Sequence, residues 1–147
     1  MFRLIFSLGL YGDYNKLRML VMKSKLFYPL YKLYESFHCA YLPLNNTFEG
    51  YINFPHGVRG CFFSQGCKIG KGCTIMHHVT IGSNNLNKID GGGPIIGDNC
   101  FIGAGAKIIG SIKIGDNVRI GAGCVVVKDI PSDSTCVLQP ARIIIRK

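Results

Sequence analysis

The chain has 147 residues, 48% of them hydrophobic, and carries 17 Lys and Arg against 8 Asp and Glu, for a formal net charge of +9. That length corresponds to one domain, the apolar fraction is enough for a packed core, and no apolar run is long enough to cross a bilayer as a helix. The charge calls for an anionic membrane, a nucleic acid or a polyanionic small molecule; nucleic acid is set aside because no binding motif for it occurs and aromatic and basic residues do not interleave in the repeats.

Residues 1–12 are apolar but too short and too poorly ended for a cleaved leader, so the expectation is a retained N-terminus in a cytoplasmic protein. Asp13 is placed to cap a helix running to about Lys25, with Leu17, Leu20 and Val21 on one face. Pro29 suits the first turn of a second helix, with Phe27, Leu30, Tyr31 and Tyr34 as its apolar stripe. Lys16, Arg18, Lys23, Lys25 and Lys32 make the pair basic. Such a pair can make peripheral contact with an anionic membrane, or pack over the open end of a β structure formed by the rest of the chain. The second reading is preferred, because an uncovered sheet edge is a liability.

From Leu42 to Phe62 the pattern is irregular. Phe48 lies three positions out of the later register, and Pro55-His56-Gly57 interrupts it. From Phe63 the chain repeats every six residues, through Ile69, Ile75 and Ile81. After one nine-residue interruption it resumes at Ile96 and continues through Ile102, Ile108, Ile114, Ile120 and Val126. Four residues after the guide position the side chain is usually small or aliphatic, as at Cys67, Val79, Ala106 and Val118. A period of six fits neither a helix nor a free strand. It fits a short strand and a tight turn coiled into a parallel β-helix. Three sixes make one turn, so residues eighteen apart stack at about 4.8 Å. The expected division is a helical segment over 1–41, a mostly β coil over 42–130 with a projecting loop at 82–94, and a tail over 131–147.

Of seven cysteines, Cys67, Cys73, Cys100 and Cys124 fall on the small interior position, where cysteine acts as a compact buried residue. No C-x-x-C pair or zinc-type Cys/His spacing occurs, so free thiols and no metal are expected, in keeping with a reducing compartment. Of four histidines, His38 falls in the helical segment. His56, His77 and His78 remain as candidates for acid–base chemistry, for which imidazole is suited.

The segments Ile96-Gly-Asp-Asn and Ile102-Gly-Ala-Gly-Ala, their counterparts at Ile114 and Ile120, and the closing Val127-Lys-Asp-Ile-Pro131 and Pro140-Ala-Arg142 resemble the hexapeptide-repeat acyltransferases. Within them the chain is most similar to the serine O-acetyltransferase branch, including short relatives that acetylate sugars of surface polysaccharides. The resemblance covers roughly residues 42–145. It implies a left-handed coil, against the usual crossover rule. It also implies acetyl-CoA as donor and a homotrimer with the site between subunits.

The resemblance further selects His56 as the base. Pro55 stands where the family has an aspartate and Gly93 where it has a second histidine, which leaves Glu49 and Asp90 as candidate acidic partners. For the donor it points to Gly82 and Ser83 beside the thioester, and to Ala104 and Ala122 along the pantetheine arm. Lys128, Arg142, Arg146 and Lys147 would serve the phosphates. The acceptor expected is a sugar hydroxyl in preference to free serine, whose charges would lack partners. A γ-type carbonic anhydrase is excluded because no histidine follows His78. A catalytically inactive binding subunit stays as the non-enzyme alternative.

Overall fold

A computed structural model describes residues 14–84 and 92–139. The sequence readings on residues 1–13, Lys88, Asp90, Arg142, Arg146 and Lys147 lie outside the described residues. Two helices, α1 (Tyr14–Lys23) and α2 (Tyr28–Phe37), are joined by a 3-10 turn, Lys25–Phe27, with Pro29 in the first turn of α2. Twelve short strands come next among the described residues: β1 (Thr47–Phe48), β2 (Phe62–Phe63), β3 (Lys68–Ile69), β4 (Thr74–Ile75), β5 (Thr80–Gly82), β6 (Ile95–Ile96), β7 (Phe101–Ile102), β8 (Lys107–Ile109), β9 (Lys113–Ile114), β10 (Arg119–Ile120), β11 (Val125–Val126) and β12 (Thr135–Cys136).

The strands of successive coils pair in parallel, which gives three faces: β1-β3-β6-β9, β4-β7-β10-β12 and β2-β5-β8-β11. This is the parallel β-helix that the repeat implied, in the left-handed form expected. The guide residues stack on one another, Ile75 on Ile102 and Ile102 on Ile120. Each of them from Phe63 to Val126 is at most 5% exposed. The small positions share that interior. Cysteine there is more than a filler: Cys73 Sγ donates to the Gly97 carbonyl at 3.1 Å and Cys100 Sγ to the Gly115 carbonyl at 3.1 Å. Glycine is needed where coils touch, since a Cβ at Gly103 would lie 2.5 Å from the Ala122 nitrogen.

The coil begins earlier than its regular stretch. Tyr41 bridges Phe62, Phe48 pairs with Ile69, and Asn53 bridges Thr74. Leu42, Phe48 and Phe54 are therefore guide positions six apart, and the three-residue offset arises entirely between Phe54 and Phe63. The surplus is extruded as the turn over Pro55–Gly60.

The helices close the first coil, as the packing reading expected. Tyr14 packs edge-on to Phe54, with centroids 5.6 Å apart. Asn15 donates to the Ile52 carbonyl at 2.8 Å, and Arg18 donates to the Asn46 carbonyl at 2.6 Å while lying over the Phe48 ring. The buried Glu35 carboxylate accepts the Leu42 N–H at 2.6 Å and holds Lys32. These contacts satisfy backbone groups that the first coil would otherwise leave open. No helix among the described residues is long and apolar enough to cross a membrane.

Burial raises the acids of this core. The Cys61 thiol is pushed up from 9.0 to about 11 and the Tyr14 phenol from 10.0 to about 12, both mainly by desolvation. Both groups are held protonated by the fold. The stability they contribute is complete below their ordinary values and is lost as pH rises through the folded ones. Melting temperature should therefore be flat from pH 7 to about pH 9 and fall steadily towards pH 11. A melting temperature that stays level to pH 11 would contradict this assignment.

Candidate active site

His56 stands exposed in the extruded turn, on the edge where the second face passes into the third. Two other histidines pin that turn. His38 is buried, stacks on Tyr34 with centroids 4.2 Å apart, and accepts the Gly60 N–H on its carbonyl. His78 donates its backbone N–H to the Arg59 carbonyl at 2.8 Å and lies against Gly60, where an added Cβ would come within 2.2 Å of its Nδ1. His78 is left-handed, at φ 57°. The same corner of the next two coils uses Gly105 and Gly123, and Asn99 and Asn117 take this conformation on the preceding edge; glycine and asparagine tolerate it best.

His77 is half-buried, and its ring meets that of His56 at 84° with centroids 5.2 Å apart. Its Nδ1 is buried without a hydrogen-bond partner among the described residues. The edge continues as a backbone ladder. The His77 carbonyl accepts the Gly105 N–H at 3.0 Å, and the Ala104 carbonyl accepts the Gly123 N–H at 2.8 Å. Ala104 and Ala122 thus come after His56 and His77 along a single edge of the prism. Their side chains are single methyl groups, so the edge stays shallow beyond the imidazoles.

The remaining candidates lie elsewhere. Glu49 is exposed after β1, where the first face passes into the second, a different edge from that of His56. Gly82, Ser83 and Lys128 lie where the third face passes into the first. The His56 edge and the Gly82–Ser83 edge flank the third face, whose outward side shows Phe62 and Val125 at 50% and 57% exposure. Gly93 leaves no room for a histidine: a Cβ there would lie 2.9 Å from Cys67 Sγ and 3.0 Å from its backbone nitrogen. Sequence reasoning left His77 open as a cleft or solvated residue. The hexapeptide register places it one coil above Ala104, but its packing against His56 depends on the extruded turn.

The profile described as bacterial transferase hexapeptide (six repeats) matches residues 93–128. The chain carries these transferase repeats and is related to the serine acetyltransferases. It is 47% identical over 87 residues to serine acetyltransferase 5 of Arabidopsis thaliana, covering 59% of this chain and 28% of that protein. It is 44% identical over 89 residues to the serine acetyltransferase of Staphylococcus aureus (strain N315), covering 60% and 41%. The serine acetyltransferase of Neisseria gonorrhoeae in complex with serine superposes with a TM-score of 0.69 at 33% identity, over 85% of this chain and 50% of that one. Isoform 3 from Entamoeba histolytica in complex with cysteine gives 0.72 at 30% identity, over 89% and 47%. The chain spans about half or less of each of these relatives.

Proposed function

We propose that the protein is an acetyl-CoA-dependent O-acetyltransferase in which His56 takes the proton of the acceptor hydroxyl as its oxygen attacks the thioester carbonyl. The observation that carries this is the shared edge of His56, Ala104 and Ala122. Methyl groups there leave space for a pantetheine arm, whose amides can meet the edge's backbone groups. No metal is invoked, and no group of side chains suited to one occurs among the described residues.

The acceptor we propose is a sugar hydroxyl. A free amino acid needs partners for an ammonium and a carboxylate. Pro55 and Gly93 supply none, and Glu49 lies on another edge. Ser83, Asn84 and the amide-rich sequence after them match the paired donors and acceptors of a saccharide. The relatives' names favour serine instead. A panel of serine and amino or neutral sugars, with acetyl-CoA and product detection by mass, separates the two. Acetylated saccharide without acetylserine is the expected result, and efficient acetylation of serine alone would reverse the choice.

The assembly we propose is a homotrimer in which the His56 edge of one protomer faces the Gly82–Ser83 edge of the next. The exposed apolar side chains of the third face support it, since cyclic closure would cover them. Light scattering should give three times the chain mass, and a stable monomer at micromolar concentration would contradict it. A cytoplasmic location is supported by seven free cysteines. Peripheral membrane contact is supported by the outer side of the helices, where Met22 and Leu26 are 63% and 82% exposed beside Lys23 and Lys25. Co-sedimentation with anionic but not neutral vesicles would be its signature, and equal behaviour with both would dismiss it.

A further inference from the structure

The His56 edge holds one polar group that neither the fold nor the base role uses, and that is His77. A nitrogen buried without a partner requires an explanation in a folded protein. A neutral imidazole carries one N–H and one bare nitrogen. An orphaned buried N–H is a rarer arrangement than an under-satisfied buried acceptor. That ordering favours the tautomer in which the buried Nδ1 of His77 is bare and Nε2 carries the proton.

Position gives that N–H a use. The His77 ring lies edge-to-face with His56 at 5.2 Å, and its carbonyl is bonded to Gly105 beside Ala104. It stands between the base and the stretch assigned to the thioester arm. The rings beside it are those of His56 and His78, with no titratable side chain at Ala104 or Gly105 on the coil beside it. The thioester carbonyl becomes an oxyanion when the hydroxyl oxygen adds to it, and that charge needs a fixed donor.

We propose that His77 is a catalytic hydrogen-bond donor whose Nε2–H holds this oxyanion, an inference that rests on the acetyltransferase reading. His56 takes the hydroxyl proton as the C–O bond forms. The oxyanion collapses, the C–S bond breaks, and the thiolate leaves with its electron pair to take up a proton from His56. His77 keeps its own proton throughout.

The test compares two substitutions. His77→Gln places an amide N–H near the position of Nε2, whereas His77→Leu fills the space without a donor. Thiol release from acetyl-CoA should stay within about tenfold of the parent in His77→Gln and fall about 10²–10³-fold in kcat in His77→Leu. KM for acetyl-CoA and the melting temperature should change little. Imidazole nitrogen NMR of the parent at pH 8 should find Nδ1 bare and Nε2 protonated at His77. Equal loss in the two variants, an unimpaired His77→Leu or the opposite tautomer would overturn this role. A parent that releases no thiol would instead overturn the functional reading and this inference with it.

Discussion

His56→Ala should lower turnover by about 10²–10⁴-fold, the range associated with losing a positioned base. The fold should survive, because His56 is exposed and the turn that carries it is held by His38, His78 and Gly60. Affinity for acetyl-CoA should change little, since the stretch proposed for the donor, at Ala104 and Ala122, lies on later coils. The pattern expected is therefore a fall in kcat with an unaltered melting temperature and an unaltered dissociation constant. If His56→Ala retains its activity while His77→Ala loses it, the base is His77 and the assignment of the edge is inverted.

The largest effect on stability should come from Ile102→Ala. Ile102 is fully buried in β7, stacked between Ile75 and Ile120 at the middle of its column. Rigid coils above and below limit collapse into the cavity. The cost should be about 2–5 kcal/mol, or a fall of roughly 4–20 °C in melting temperature. A mild effect, as for a surface position, would mean that the interior columns do not carry the coil.

The columns were legible because a repeat of six constrains each guide residue independently, and ten of ten are aliphatic or aromatic. The early coils were harder to read because the register shift at Pro55–Gly60 made Leu42, Phe48 and Phe54 look unrelated to Phe63. Which edge a residue occupies can also be read once that surplus is placed. Glu49 comes after a guide residue of the first face and His56 after one of the second, so seven residues of chain separate two edges of the prism. Gly82 and Ser83 come after Ile81 of the third face and belong to yet another edge. The sequence could not disclose the buried Nδ1 of His77, which depends on how the side chains around the extruded turn settle. The steric reason for Gly93, its contact with Cys67, likewise arises only when the loop returns to the coil.

The central claim is that this edge moves an acetyl group from a thioester to a hydroxyl. The most direct measurement is thiol release from acetyl-CoA by the full chain, with and without a mixture of hydroxyl acceptors. Release should depend on the acceptor and be matched mole for mole by acetylated product. Saturable binding of acetyl-CoA with no release above the acceptor-free rate would contradict it, and would leave an inactive binding subunit as the reading of this coil.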